Sequence, residues 1–305
     1  MRRLLLPVFG LVAAVMLLAG AQHLRNSGGP ELGPPPPGAL RLATWNVHYI
    51  AARRTEGRWG LARWEARKAP LAAGFAALGA DLVAFQEMET FRGGNDDSEN
   101  LAREWLLGNA PGHAAAAVGD WRSFPSTQPI FYRTERLELL DQGWFFFSPT
   151  PDAIYSRSFD GSYPAFASWA RFRDRRGGRA VFRVLNLHLD YANGENRRRS
   201  VELVVERTRP WIEAGETVLL AGDLNALHGS PLHRALGDAG FSFLPVRGAT
   251  FHFDRGFNLF GAIDHLAHAG DARPASAPVV VRRKRGPVWA SDHYPLVADF
   301  HLAGP

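Results

Sequence analysis

Eight short stretches of the chain are rich in apolar residues, and most of them carry polar residues at or near an end. They are LRLATWNV (40–47), DLVAFQEM (81–88), PIFYR (129–133), FASWARFRD (166–174), AVFRVLNLHLD (180–190), TVLLAGDLN (217–225), AIDHLAHA (262–269) and PLVADFHL (295–302). Alternation at Phe182, Val184 and Asn186, and at Trp169, Arg171 and Arg173, predicts strands with two unlike faces, whereas the unbroken VLLAG predicts a strand covered on both faces. Leu61, Trp64, Leu71, Phe75 and Leu78 follow a helical spacing interrupted at Pro70, and 195–213 places Val201, Val204, Val205 and Ile212 on a second helical stripe. A third helix is expected to start with Ser230 as N-cap and Pro231 at its first position, and to close near Gly237. Strands that need cover on two sides, with helices to supply it, imply sheets sandwiched between helices.

The first forty residues follow another logic. Arg2 and Arg3 precede an uncharged run from Leu4 to Ala21 that ends in Ala19-Gly20-Ala21. A basic start, an apolar middle and a small-residue end predict a secretory signal peptide over 1–21, and an uncleaved N-terminal membrane anchor is the alternative. Either reading puts the rest of the chain outside the cytoplasm, secreted or periplasmic in the first case and held at the membrane in the second. Residues 22–39, QHLRNSGGPELGPPPPGA, lack an apolar period and contain four consecutive prolines, which predicts an extended linker. No internal repeat and no second low-complexity boundary follow, so 40–303 reads as one domain.

Composition narrows the chemistry. With 305 residues, 46% apolar and 21% charged, the chain can bury a sizeable core. A net charge of +5 favours phosphates, nucleic acid or anionic membrane, yet is modest for a dedicated nucleic-acid binder. Basic residues are almost all arginine, with only Lys68 and Lys284 as lysines. The absence of cysteine excludes disulfides, thiolate metal sites and a cysteine nucleophile.

Five of the apolar stretches carry residues suited to metal or phosphate at or near their ends: Asn46, Glu87, His188, Asp223 with Asn225, and Asp264 with His265. Ser291-Asp292-His293 immediately precedes the last stretch. Each alone has an ordinary structural role as a turn former, a cap or a satisfied strand histidine. As a set they supply hard oxygen ligands, a proton acceptor and phosphate-facing donors at strand ends, where ligands of α/β sheets gather. The chain has no G-x-S-x-G elbow, P-loop, G-x-G-x-x-G fingerprint or H-E-x-x-H pair. An oxygen-ligated divalent metal with water as nucleophile is the chemistry this set fits.

TWNVHY, FQEME, NLHLDY, AGDLNA, the AID of AIDHLA, and SDHYPL, in that order over 44–296, resemble the successive motifs of the endonuclease/exonuclease/phosphatase superfamily, the DNase I-like metal-dependent phosphoesterases. The resemblance implies a four-layer α/β sandwich, two central mixed sheets with helices outside and a cleft at the top. It implies Mg²⁺ on Glu87 with Asn46 and Asp292, Mn²⁺ being able to use the same oxygen ligands. Asp223 then resembles the residue that handles the attacking water, with Asn225 alongside. His293 resembles the group that contacts the phosphate, oriented by Asp264, and His188 resembles a second phosphate-facing histidine. SPTPDAIYSRSFDGSYPAFASWARF is similar to a loop of exported bacterial metal-dependent hydrolases that often carry arginine where this chain has Ala165. Arg157 or Arg171 is the expected replacement as a substrate-binding group. The implied activity is hydrolysis of a phosphomonoester or phosphodiester, on nucleic acid, a phospholipid or sphingomyelin, or a sugar or inositol phosphate. A catalytically silent binding protein on the same scaffold is the reading from another class. Membrane association would run through the N-terminus, and nothing in the sequence points to a protein partner.

Overall fold

The period-two patterning resolves into two mixed β-sheets packed face to face in a computed structural model that describes residues 2–93, 98–157, 159–161, 163–176 and 180–303, with side chains from residue 10 onward. The strands are β1 (Leu40–Asn46), β2 (Ile50–Ala51), β3 (Leu82–Gln86), β4 (Thr90–Phe91), β5 (His113–Ala116), β6 (Ile130–Arg133), β7 (Leu137–Phe146), β8 (Phe166–Asp174), β9 (Val181–His188), β10 (Thr217–Asp223), β11 (Ser242–Phe243), β12 (Asp264–Ala269), β13 (Ala272–Pro274), β14 (Val279–Val280) and β15 (Leu296–Leu302). One sheet runs β13-β15-β1-β3-β6-β5 with β14 also on β15, the other β11-β12-β10-β9-β8-β7, and β2 pairs with β4 apart from both. Near the middle of each large sheet lies one parallel pair, β1 with β3 and β9 with β10, between antiparallel neighbours. Parallel pairing sets carboxyl ends side by side: Asn46 lies opposite Gln86, and Asp223 opposite His188.

Three apolar layers follow from the alternation. Leu40, Leu42, Leu82, Ala84, Phe182, Val184, Leu219, Ala221 and Leu266 fill the space between the sheets. Leu185, Leu187, Val218 and Leu220 point the other way, onto α4 (Gly194–Glu213) and α5 (Pro231–Asp238) through Val201, Val204, Leu232 and Leu236. Ala43, Trp45, Val83 and Phe85 cover α2 (Leu61–Leu78) and α3 (Leu101–Gly108) through Trp64, Leu71, Phe75, Leu78 and Leu106. The result is the four-layer arrangement of two mixed sheets flanked by helices.

Some local expectations are corrected. α2 continues through Pro70 without a break. Its buried face, Trp64, Leu71, Phe75 and Leu78, supplies packing that outweighs the missing amide donor, and the Pro70 ring seats against Gly286, where a Cβ would collide with it. Phe145, Phe146 and Phe147 are buried at the end of β7. α3 and β5 had no clear periodic signal. The first is capped by the Asn100 side chain, which accepts from the amide of Arg103.

The N-terminal segment forms α1 (Arg2–Ser27), so residues 22–27, read as the start of a linker, are helical. Tertiary bonds account for this. The amide of Asn258 donates to His23 Nδ1 (3.1 Å), Asn258 Nδ2 donates to Ser27 Oγ (2.8 Å), and the Ala249 amide donates to the Asn26 carbonyl (2.9 Å). Met1 and the side chains of 2–9 lie outside the described residues. Among those described, no helix is long and apolar enough to cross a membrane.

Candidate active site

The inward rows that pack the inter-sheet core carry their parity to the strand ends. On β1 the row Leu40, Leu42, Thr44 leads to Asn46; on β9, Phe182, Val184, Asn186 leads to His188; on β10, Leu219 and Ala221 lead to Asp223; on β12, Leu266 is two residues from Asp264. Four chemistry-bearing residues from four strands therefore face one gap at one rim. Beneath them a polar floor ties the sheets together: Gln86 Nε2 donates to Asn186 Oδ1 (2.6 Å) and Asn186 Nδ2 to the Phe85 carbonyl (2.8 Å). Gly222 is required where β10 closes on β9, because a Cβ there would collide with the Leu187 carbonyl.

Asn46 Nδ2 donates to Glu87 Oε1 (3.1 Å) and to Asp223 Oδ2 (3.2 Å), bridging the sheets. Glu87 follows β3 in the left-handed region (φ 54°) and accepts from the Tyr49 amide (3.3 Å). His188 Nε2 lies 3.9 Å from Glu87 Oε1 and 3.8 Å from Asp223 Oδ2. His293 Nε2 is 3.7 Å from the same Asp223 oxygen, while its Nδ1 bonds Asp264 Oδ2 at 2.9 Å. A carboxylate behind one ring nitrogen fixes the ring and leaves the other facing the gap.

The loop preceding β15 is held in register by Ser291, whose hydroxyl donates to the Asn46 carbonyl (2.7 Å) and accepts from the His293 amide (3.1 Å). Trp45 Nε1 donates to the His293 carbonyl (3.0 Å). Arg67, buried on α2, donates to the carbonyls of Val47 (2.6 Å), Ala290 (2.9 Å) and His48. Asp292 thereby stands beside His48 Nδ1 (3.7 Å) and receives Arg58 Nη2 at 2.5 Å. Asn225 does not continue the strand in extended form. Its φ is 46°, its amide donates to Asp223 Oδ1 (2.9 Å), and its carboxamide donates to the Leu189 carbonyl (2.9 Å), so it braces the Asp223 corner.

Charge inside the gap is uneven. Burial, with Asp264 nearby, pushes Asp223 up to about 6 despite the opposing pull of His293 and His188. Burial works against a charged His293, but the Asp264 carboxylate and its hydrogen bond, with Asp223 and Asp292, outweigh it and push the ring up to about 10. Burial and the neighbouring Asp292 raise Glu87, and burial lowers His188. Asp292 is held below the usual carboxylate value: burial opposes this, and His293, His48 and Arg58 overcome it.

The residues present fit a cation. Glu87 is a desolvated carboxylate with a second carboxylate, Asp292, in its field and the Asn46 carboxamide beside it, an oxygen-rich set suited to a hard divalent ion. Asp223, Asp264 and His293 also bring one ligand atom each within 4.8 Å of one another. In that group His293 Nδ1 is already engaged by Asp264.

The gap thus gathers Asn46, Glu87, His188, Asp223, Asp264, Asp292 and His293, with Asn225 bracing it. Arg171 is not among them. It lies on the outer row of β8, pairs in register with Arg183, and its Nε stands 3.5 Å from Glu216 before the first residue of β10, at the far end of the sheet from Asp223. Arg157 is exposed on the loop between β7 and β8, and among the described residues no bond ties it to the gap. Arg198 on α4 is paired with Glu195 and Glu202 along the same helix. Groups that the sequence reading did not single out are His48, Arg58, Arg67 and Tyr163, whose ring lies 5.9 Å from that of His188. His48 and Tyr163 fall inside quoted motifs, whereas Arg58 and Arg67 carry no local signal.

Comparison with known proteins agrees with this fold. Residues 43–293 match the Endonuclease/Exonuclease/phosphatase family. A mannosyl-6-phosphatase of Bacteroides thetaiotaomicron superposes with a TM-score of 0.71 at 21% identity, over 86% of this chain and 100% of that one. The catalytic domain of human Nocturnin gives 0.62 at 15% identity, over 88% and 97% of the two chains. TDP2 of D. rerio, solved with a single-strand DNA product, gives 0.61 at 14%, over 87% and 99%. These superpositions establish a shared fold. No curated protein matches the chain in sequence.

Proposed function

The chain belongs to the Endonuclease/Exonuclease/phosphatase family, whose members hydrolyse phosphoric esters, and on that premise we propose that it is an exported, Mg²⁺-dependent enzyme that cleaves a phosphomonoester or phosphodiester by direct attack of water. One observation carries the reading. A hard-oxygen group (Glu87, Asn46, Asp292) and a proton-handling group (Asp223, His293 with Asp264, His188) from both sheets meet across one gap, bridged by the Asn46 carboxamide.

Roles follow from the charges. Asp223, raised to about 6 and within 4 Å of two imidazoles, is ionised at neutral pH and basic enough to accept the proton of the attacking water. His293 keeps its proton because Asp264 stands behind it, so its Nε2 offers a charged donor to a phosphoryl oxygen. His188 is neutral, supplying a hydrogen bond without adding charge. When bound by Glu87 with Asn46 and Asp292, Mg²⁺ supplies positive charge to the phosphoryl oxygens, and Mn²⁺ can use the same ligands. Arg58 now neutralises Asp292, and its side chain is 40% exposed, free to turn from the carboxylate toward a substrate phosphate.

The similar structures include a sugar phosphatase and a protein crystallised with a DNA product, so both ester classes belong in the test. Purified protein beginning at Gln22 is assayed with Mg²⁺ against p-nitrophenyl and bis-p-nitrophenyl phosphate, sugar and inositol phosphates, plasmid DNA, RNA and sphingomyelin. Hydrolysis of at least one substrate, lost in EDTA and restored by Mg²⁺, is the expected result. Inactivity across the set, or activity indifferent to EDTA, would sink the proposal.

A further inference from the structure

Behind the gap, on the outer face of the second sheet, three histidines converge without a carboxylate among them. His265 follows Asp264 on β12 and so points away from the gap; His233 lies in the first turn of α5; His228 lies in the loop that runs from the Asp223–Asn225 corner to α5. One ring nitrogen from each lies within 4.8 Å of the others. Ring centroids are 4.3 Å apart for His233 and His265, 5.2 Å for His228 and His233, and 6.2 Å for His228 and His265.

The hydrogen bonding leaves one ring nitrogen of His265 and one of His233 free. His265 Nε2 is 2.8 Å from the Ala226 carbonyl, which can only accept, so Nε2 carries the proton and Nδ1 presents a lone pair. That Nδ1 is buried with no partner. Ser230, the expected N-cap of α5, makes no cap bond with its side chain; its hydroxyl instead bonds His233 Nδ1 at 2.9 Å, and His233 Nε2 is likewise buried without a partner. Anchoring one imidazole nitrogen on a carbonyl or hydroxyl while the other faces a common point is how metal-binding histidines are oriented. His233 is 6% exposed and His265 is 0% exposed, so neither free nitrogen can turn to bulk water for a partner. The Phe243 ring, 4.3 Å from that of His233, walls one side.

We propose that His228, His233 and His265 form a second metal site, separate from the catalytic gap and selective for a borderline ion, Zn²⁺, over Mg²⁺. Three neutral imidazoles suit Zn²⁺ and offer nothing to a hard ion that requires oxygen ligands. Exposed His228 leaves the fourth position of a tetrahedral ion open to water. Bound there, the ion ties the loop after Asn225 and the start of α5 to β12, which carries Asp264, and so fixes two members of the gap from behind.

The test is zinc content and affinity after dialysis in excess Mg²⁺, for wild type and for His228→Ala. His228 is exposed, so its loss spares the core. Wild type should retain one more equivalent of Zn²⁺ than the variant, with visible Co²⁺ bands that the variant lacks and a rise in Tm with Zn²⁺ that the variant loses. His233→Ala should weaken Zn²⁺ binding at least about 10-fold, on the scale of lost metal-site contacts. Equal zinc content, the same Co²⁺ spectrum and the same Tm response in wild type and His228→Ala would overturn the proposal.

Discussion

His293 owes its charge chiefly to Asp264, with Asp223 and Asp292 adding to it. Burial alone would lower an imidazole below 6.5, and the Asp264 carboxylate reverses the sign. In the proposed mechanism the acid limb of activity reflects loss of the Asp223 proton near pH 6, and the alkaline limb reflects loss of the His293 proton near pH 10. Asp264→Asn removes the charge and leaves burial dominant, so the alkaline limb of kcat should move down by several pH units, with a fall in its maximum. A pH–rate profile reads this directly, and an unmoved alkaline limb would show that Asp264 does not govern His293. The same pairing stabilises the fold: the contribution is full below about pH 6.5 and is lost as pH rises through about 10. Most of these residues were legible in the sequence because a period of two carries a core-facing row to a chemistry-facing end. Arg171 was misread for the complementary reason. Alternation assigns a residue to a row, but neither the face that row turns to nor the end of the sheet it occupies can be read from one strand. Arg58 and Arg67 act across 234 and up to 223 residues of chain respectively, and no local pattern announces such contacts.

At the scale of elements, strands were easier to read than short helices. Apolar runs marked β1, β3, β6, β8, β9, β10, β12 and β15 but not the ten-residue β7, whereas α3 is stabilised by the Asn100 cap and by packing of Ala102 and Leu106 against partners distant in sequence. The N-terminal helix shows the same dependence on distant partners. Its last turn is polar, and His23, Asn26 and Ser27 are held by Ala249 and Asn258. All three anchoring residues lie beyond Ala19-Gly20-Ala21, so cleavage after Ala21 would leave the docked turn intact. Export is proposed on this ground and on the Arg2-Arg3 and apolar run before it. The mature protein recovered outside the cytoplasm should begin at Gln22 by mass spectrometry. A chain that keeps Met1, whether in the cytoplasm or in the membrane fraction, would contradict processing at that site.

Across the whole molecule, each sheet contributes one half of the site. The β1–β3 pair brings Asn46 and Glu87, the β9–β10 pair brings His188 and Asp223, β12 adds Asp264, and the loop entering β15 adds Asp292 and His293. The inter-sheet core sets their separation, and Asn46, Arg67, Ser291 and the Gln86–Asn186 floor lock it. The layer order was implied by the motif set, while the bracing could be seen only once the sheets were packed. Glu87 and His293 come from opposite halves of the proton-and-cation division, and each can be truncated without opening the apolar layers. The most direct test is therefore the Mg²⁺-dependent turnover of Glu87→Ala and His293→Ala, with circular dichroism and Tm measured on the same samples. The expected result is a native spectrum with kcat reduced on the order of 10³-fold in each, the scale of losing a principal electrostatic group in an active site. Wild-type turnover in both folded variants would contradict the assignment.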